Sequence, residues 1–288
     1  NSVKFHFHGK AAHAAGHPFD GRSALDAVEL MNVSANYMRE HVKPDVRIHY
    51  ATICSCAPNV VPDECSVWYY IRAPKRRDVD EVYSWLCDCA RGAALMTQTT
   101  FDIEFLTGCS EVMPNDVLEK VMLQAYQDTG APRFTPEDHA FAEKMAETYP
   151  DILDRDRRVM KEEYGVDGDG KFLCDVVFDK VIEDRLVAPG STDVGDVSHV
   201  VPTYQIYVAG QGIGCPGHSW QMTAYSGHHV GFASMLCAAK VLALSGLRLL
   251  EDPQLVQEAW DNFHAHQTEP YVSPLPEGLM PDLEQVKN

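Results

Sequence analysis

The stretch "VRIHYATICSCAPNVVPDECSVWYYIRA" (residues 46–73) decides the fold of the first part of the chain. Residues 46–54 and 64–73 are rich in β-branched and aromatic side chains, which favour strands. Between them, "APNVVPD" (57–63) contains the proline, asparagine and aspartate that are typical of turns. The stretch therefore predicts two consecutive strands joined by a turn.

The segment before this pair predicts a strand and a helix. "VKFHFHG" (3–9) alternates apolar and polar residues, as a half-buried strand does. Residues 23–42 begin with Ser23, a favoured helix cap, and continue with apolar residues at helical spacing. These are Val28, Met31, Ala35, Met38 and Val42.

The segment after the pair predicts a second helix and a last strand. Residues 78–96 show helical periodicity behind Asp78 and Glu81, which are spaced as a capping box, and "FDIEFLTG" (101–108) alternates as a strand. The resulting order β-α-β-β-α-β places two helices on one face of a four-stranded sheet, as in ferredoxin-like folds.

Beyond a boundary near residues 110–116, helices and loops are predicted. Three helices are predicted here: one at 115–128, one that is capped by Ser226 and one that is capped by Asp252. Residues 204–210 predict a short buried strand. Residues 129–184 are charged with weak periodicity, and "DGDG" (167–170) predicts a solvated turn because the later glutamate of a calcium loop is missing.

Composition limits the partners and the compartment. The 288 residues carry a net charge of −18, which argues against nucleic acid and anionic membranes because both bind through Lys/Arg clusters. No run of 18 apolar residues and no signal peptide is visible, so the expected location is cytoplasmic. The nine cysteines are then expected to be reduced thiols that pack as small core residues.

Among the 13 histidines, His218 stands out as a candidate metal ligand. It lies in the bent loop "GCPGHSWQ" (214–221) just after the strand predicted at 204–210, where α/β sheets place ligand sites. Spacing alone leaves a structural role open. His6 and His8 share one face of a strand and favour a sheet-face role, and His228 and His229 are expected to face different directions on a helix.

Four segments in the same order resemble the dinuclear metallopeptidase family of carboxypeptidase G and the aminoacylases, and within it the branch of aminobenzoyl-glutamate hydrolases and dipeptidases. They are "HFHGKAAHAAGHPFDGRSALDAV" (6–28), "APNVVPDECSVWYYIRAP" (57–74), "GSTDVGDVSHVVPT" (190–203) and "GHSWQ" (217–221). The resemblance implies a lid and dimerisation domain at 1–112 and the C-terminal half of an α/β catalytic domain at 113–288. The N-terminal half is expected to precede residue 1 and to be absent.

The resemblance also implies roles for individual residues. His13 would reach into the neighbouring subunit's active site and hydrogen-bond the substrate carbonyl as it becomes an oxyanion. Arg72 would grip a substrate carboxylate, and Asn59 would donate either to that carboxylate or to the scissile carbonyl. Gly190, Ser191 and Thr192 would line the substrate pocket, and His218 would be the last metal ligand. Asp193 or Asp196 would orient a ligand or cap a helix.

The implied enzyme is an amidohydrolase with two zinc ions, or manganese, that cleaves N-acyl or N-aroyl amino acids or dipeptides and forms a homodimer through the lid. One imidazole cannot hold a catalytic zinc, which needs three or four protein ligands, so the chain alone is expected to bind no metal and to be inactive. A missing half or a companion chain would complete it. The alternatives are a non-catalytic dimerisation or binding module and, less favoured, a ferredoxin-like small-molecule-binding domain.

Overall fold

The computed structural model describes residues 1–178 and 190–280. They form two compact units. The first contains residues 1–112 together with 190–197 and 271–280, and the second contains 113–178 and 198–270. Two short segments from the second half of the sequence therefore belong to the first unit.

The first unit has the predicted β-α-β-β-α-β order. Its main strands form one antiparallel sheet in the order β3-β5-β1-β6, and two short strands, β2 and β4, pair separately. The elements are β1 (Ser2–His8), β2 (Ala12–His13), α1 (Ala24–Met38), β3 (Arg47–Ile53), β4 (Val60–Val61), β5 (Glu64–Arg72), α2 (Arg76–Thr97) and β6 (Thr100–Thr107). The predicted mixed helix-and-sheet class with a ferredoxin-like first domain is confirmed.

The core of this unit follows from the alternation seen in the sequence. Val3, Phe5 and Phe7 of β1 are fully buried beneath α1 and α2, while the residues between them lie on the open face of the sheet. Ser23 caps α1 by accepting a hydrogen bond from the amide of Asp26 at 3.1 Å. Val42 lies beyond the end of α1 but still packs against the same core.

The capping box predicted at Asp78 and Glu81 is wrong. The helix begins earlier, at Arg76, with Lys75 in the cap position and no side-chain cap. Asp78 is buried and accepts a hydrogen bond from Lys43 Nζ at 2.6 Å. The Asp78 carboxylate, which the local pattern assigned to the helix cap, therefore binds Lys43, a residue 35 positions away.

The second unit is mainly helical. The predicted cap Asp252 is confirmed, because its side chain accepts from the amide of Gln254, and the helix predicted at 115–128 is capped by Asn115, which accepts from the amide of Leu118. The helices are α3 (Asp116–Thr129), α4 (Pro136–Ala146), α5 (Pro150–Tyr164), α6 (Val194–Ser198), whose first four residues belong to the first unit, α7 (Trp220–Ser226), α8 (His229–Glu251) and α9 (Pro253–His266).

Residues 129–178, where the sequence showed only weak periodicity, contain two helices, α4 and α5, each with proline in its first turn. Two expectations for the second half of the sequence are wrong. Residues 204–210 form no strand, because no described strand pairs with them. Ser226 ends α7, and α8 is capped instead by His228, whose Nδ1 accepts from the amide of Val230.

Helix α8 is long and apolar. Within the described ranges, it is the one helix whose length and composition would allow it to cross a membrane. One side of it packs on α3 through Cys237 and Val241. The rest of its surface exposes large apolar side chains, namely Phe232, Met235, Leu236, Leu242, Leu247 and Leu250.

Candidate functional site

His13 and Asn59 are brought together by the short sheet of β2 and β4. His13 pairs with Val60, and the amide of Ala14 donates to the carbonyl of Asn59 at 3.0 Å. Gly21 lies so close that a Cβ there would be 2.9 Å from the side chain of Ala12. Two residues that are 46 positions apart in the sequence therefore occupy one surface of the first unit.

The backbone around His13 selects its tautomer. Nδ1 accepts hydrogen bonds from the amides of Ala15 at 3.2 Å and Gly16 at 2.9 Å. A nitrogen that accepts two N–H groups carries no proton, so the neutral imidazole carries its hydrogen on Nε2. The side chain is exposed. His13 therefore presents an N–H donor to solvent, which is the form needed to hydrogen-bond a carbonyl oxygen.

Arg72 lies at the other end of the sheet. It is the last residue of β5, opposite Arg47, and its guanidinium lies over the ring of Tyr70 at 5.9 Å. Eight strand steps separate it from Glu64, next to the 57–63 turn, which corresponds to about 26 Å. Arg72 of one chain is therefore far along the sheet from the turn that carries Asn59 of the same chain, and both roles predicted for Asn59 stay predictions.

The loop with Gly190, Ser191 and Thr192 is held in place by the segment that follows it. The hydroxyl of Thr192 accepts from the amide of Val194 at 3.3 Å, while Gly190 and Ser191 are exposed. Gly195 touches the backbone of Ser110 so closely that a Cβ would lie 2.0 Å from its carbonyl oxygen.

Asp196 anchors the same segment. Its carboxylate accepts from the hydroxyl of Ser110 at 2.8 Å and from that of Tyr271 at 3.1 Å. Burial and this hydrogen bond raise the pKa of Tyr271. Asp196 therefore has a structural role here, and the ligand-orienting or capping role expected of Asp193 or Asp196 stays a prediction.

His218 is exposed and has a left-handed backbone, with φ of +54°. Such a conformation costs a non-glycine residue about 1 kcal/mol or more and is often found at functional sites. The next residue, Ser219, caps α7 by accepting from Met222 and donates to the carbonyl of Pro216 at 2.7 Å. The imidazole is thus held outside the core on a rigid loop.

A complete metal site is not formed by these residues. In the ranges 1–178 and 190–280, no three His, Cys, Asp or Glu side chains are grouped so that they could hold a metal ion. A catalytic zinc needs three or four protein ligands. His218 would supply one, so the described residues do not by themselves fit a two-metal centre.

The strand histidines His6 and His8 lie on the open face of the sheet, as predicted. His8 contacts Glu64 through Nδ1 at 2.7 Å and Asp102 through Nε2 at 2.5 Å. The hydrogen bonds with Asp102 and then Glu64 raise the pKa of His8. His6 contacts Glu104 at 3.1 Å. The imidazoles of His6 and His8 therefore link β1 to its two neighbouring strands, β5 and β6.

The histidines of α8 contradict the expectation that they face different directions. Nδ1 of His229 lies 2.8 Å from Asp138 and Nδ1 of His228 lies 3.6 Å from it, and the His228 ring stacks on Phe141 at 3.9 Å. Burial raises the pKa of Asp138, but hydrogen bonds from Thr135 and His229 outweigh it and hold that pKa below its usual value. The pattern T-x-x-D at residues 135–138 is the one sequence signal for this cluster.

Comparisons with known proteins identify relatives. The chain is 36% identical over 293 residues to a subunit of the p-aminobenzoyl-glutamate hydrolase of Escherichia coli (strain K12), a match that covers 97% of this chain and 60% of that protein. It is 28% identical over 259 residues to Xaa-Arg dipeptidase of Mus musculus, covering 89% and 49%. The crystal structure of an aminobenzoyl-glutamate utilization protein from Klebsiella pneumoniae matches with a TM-score of 0.40 at 21% identity, over 44% of this chain and 32% of that one.

The chain thus spans 60% of the length of the bacterial relative and about half that of the dipeptidase. Both relatives are hydrolases by name. The family model described as "Peptidase dimerisation domain" matches residues 1–93, which contain β1 to β5, α1 and most of α2. Residues 1–93 are therefore similar to peptidase dimerisation domains.

Proposed function

We propose that this chain is part of a metal-dependent amidohydrolase that cleaves the amide bond of N-acyl or N-aroyl amino acids, such as aminobenzoyl-glutamate, or of dipeptides. The names of two relatives support this class of substrate, since one belongs to a p-aminobenzoyl-glutamate hydrolase and the other is an Xaa-Arg dipeptidase. Both kinds of substrate keep a free carboxylate beside the amide that is cut.

The observation that carries the proposal is the tautomer of His13. An Nε2–H group held by two backbone bonds to Nδ1 is a preorganised donor, because no reorganisation is needed when negative charge develops on the substrate carbonyl. The backbone of Asn59 accepts a hydrogen bond from Ala14, next to His13, and we propose that the Asn59 side-chain amide would donate to the same substrate oxygen. Together they would stabilise the oxyanion of the amide as it is attacked.

The position of Arg72 supports a division of labour between two subunits. Since Arg72 lies about 26 Å along β5 from the turn next to His13 and Asn59, one protomer would serve two active sites. Arg72 would bind the substrate carboxylate in one site, with Gly190, Ser191 and Thr192 lining its pocket. His13 and Asn59 would act in the site of the neighbouring subunit. A homodimer formed by the dimerisation domain provides this arrangement.

His218 would be this chain's contribution to a metal centre whose other ligands lie outside the described residues. Zinc or manganese there would supply the Lewis acidity for amide hydrolysis. Because one imidazole does not hold such an ion, residues 1–288 alone would be inactive. A companion chain is one source of the missing ligands, and the word "subunit" in the name of the bacterial relative supports that possibility. The acidic composition argues against nucleic-acid partners, and a cytoplasmic location remains part of the proposal.

The test is an assay of the complete gene product with p-aminobenzoyl-glutamate and with an arginine-terminated dipeptide. We expect turnover that a chelator abolishes and that zinc or manganese restores, while residues 1–288 alone give none. Metal-dependent turnover by residues 1–288 would contradict the need for further ligands. A dimeric but inactive complete protein, tested with any companion chain, would favour the non-catalytic dimerisation module instead.

A further inference from the structure

Three cysteines meet at the base of the turn that carries Asn59. The antiparallel register of β3 and β5 ends at Ile53 opposite Ser66, and its continuation places Cys54 opposite Cys65. Each thiol rests on the other strand: Cys54 Sγ lies 3.8 Å from the carbonyl of Glu64, and Cys65 Sγ lies 3.8 Å from that of Ile53.

The thiol of Cys54 is the centre of the cluster. Its proximity contributes to raising the pKa of both the Cys56 and the Cys65 thiol. The three cysteines differ in solvent exposure: Cys56 is exposed, Cys54 is half-buried and Cys65 is buried. The cluster therefore has one thiol that solvent reaches and two thiols behind it.

The backbone geometry favours a bond between Cys54 and Cys65. Residues directly opposite each other in antiparallel strands have Cα atoms about 4.5 to 5.5 Å apart, within the range of about 4.4 to 6.8 Å that disulfides occupy. Cys54 and Cys56 are two positions apart in a segment that belongs to no strand, and a fully extended chain would separate them by about 6.6 Å, near the upper limit of that range. The cross-strand pair can be linked with less backbone movement.

We propose that Cys54 and Cys65 form a reversible disulfide, with Cys56 as the thiol through which oxidation enters. The oxidant is a low-molecular-weight disulfide of the glutathione type. The Cys56 thiolate attacks one of its sulfurs and releases one small thiol, which leaves a mixed disulfide on Cys56. Cys54 then attacks Cys56 Sγ and releases the second small thiol. Finally Cys65 attacks Cys54 Sγ, which forms the cross-strand bond and returns Cys56 as a free thiol.

The bond would hold the loop that carries half of the candidate site. Residues 55–64 include β4, which pairs with the strand of His13, and Asn59, whose carbonyl accepts from Ala14. A covalent link at the base of this loop reduces the conformations of the unfolded chain and restricts opening of the loop. The redox state of the two cysteines would thus control how firmly His13 and Asn59 are held.

The reaction is expected to be slow at neutral pH. Contact with Cys54 raises the pKa of the Cys56 thiol, and burial raises the pKa of Cys65 to about 12. Since the thiolate is the nucleophile, the oxidation rate should rise several-fold for each pH unit between 7 and 9. In a reducing compartment the disulfide would form only transiently.

The experiment uses the intact protein with oxidised glutathione, followed by alkylation of the remaining thiols and peptide mass mapping. We expect a Cys54–Cys65 linkage and a higher Tm than that of the reduced protein. The variant C54S should form no bond in this cluster, and C65S should lose the rise in Tm. The variant C56S should give the same product several times more slowly.

The chain provides a matched control in Cys87 and Cys89. They have the same C-x-C spacing, but they lie in α2, where residues two apart point about 200° away from each other. They should remain unlinked under the same conditions. Absence of any disulfide at Cys54, a Cys54–Cys56 bond as the only product, or equal linkage of Cys87 to Cys89 would each overturn the proposal. None of these outcomes depends on hydrolase activity, so the proposed function is tested separately.

Discussion

The amide of Ala14 donates a hydrogen bond to the carbonyl of Asn59 at 3.0 Å. This bond ties the turn after β1 to the turn before β5, and so places the backbone of Asn59 next to that of Ala14 and His13. Because Nδ1 of His13 is already used by two backbone amides, only Nε2–H is directed outward.

The variant H13A of the complete enzyme should lower kcat by about 100- to 1,000-fold, the usual effect of losing one oxyanion donor. KM should change little, because the interaction strengthens only as charge develops. Steady-state kinetics on p-aminobenzoyl-glutamate measure both constants. H17A, which removes an exposed histidine of the same turn, is the matched control. Equal losses in the two variants would mean that His13 only supports the turn.

Replacing Arg72 with alanine should raise KM for substrates with a free carboxylate by about 10- to 100-fold, the value of a charge-assisted hydrogen bond. Esters of the same substrates should be affected much less, because they carry no negative charge there. R47A changes the cross-strand neighbour of Arg72 and serves as the control. A similar KM increase for acids and esters would argue against carboxylate binding by Arg72.

The variant H218G should leave the Tm of the protein unchanged or raise it, because glycine adopts the φ of +54° without strain. It should abolish metal-dependent activity if His218 is a ligand. Q98G tests the same backbone effect at the end of α2, where φ is +55°, and should keep the activity. Full activity of H218G with normal metal content would exclude His218 as a ligand.

The stability of the first unit should depend on the protonation of His8. Asp102 and Glu64 raise the pKa of His8 in the folded protein above its usual 6.5. The contribution of protonated His8 to the free energy of unfolding is therefore fully present below pH 6.5 and is lost as pH rises through the folded pKa. The side chain is 39% exposed, which limits the effect to a Tm decrease of at most about 4 °C.

This decrease is measured by thermal melts between pH 6 and 9. It should disappear in H8Q and persist in H49Q, which replaces an exposed histidine of β3. An equal pH dependence in H8Q and in the unmodified protein would show that other groups cause it.

The variant G195A should destabilise the protein by about 1 to 3 kcal/mol, since the added Cβ would lie 2.0 Å from the carbonyl oxygen of Ser110. G92A is the control, because nothing lies within 4 Å of a Cβ there and alanine favours the interior of α2 by about 1 kcal/mol. Denaturant melts should therefore show opposite signs for the two variants. A neutral G195A would mean that residues 190–197 are not held against Ser110 as described.

The sequence by itself determined the elements that depend on local chemistry. Alternation in residues 3–9 and 101–108 produced β1 and β6, and Ser23, Asn115 and Asp252 each began a helix, because strand alternation and helix caps involve neighbours only a few residues apart. The resemblance of four sequence segments likewise pointed to the peptidases and hydrolases that the comparisons list as similar. Local signals were misleading at two positions. The Asp78 carboxylate binds Lys43 and does not cap a helix, and Ser226 is the last residue of α7 and does not begin the next helix.

Only the tertiary structure decided which candidate residues meet. It placed His13 beside Asn59, separated Arg72 from both by the length of β5, joined His229 to the buried Asp138, and gathered Cys54, Cys56 and Cys65 at one turn. Residues 204–210 have the composition of a strand, yet no described strand pairs with them. The physical reason is the same in each case: a contact between residues far apart in the chain forms only when packing places their elements side by side, and no local pattern encodes that.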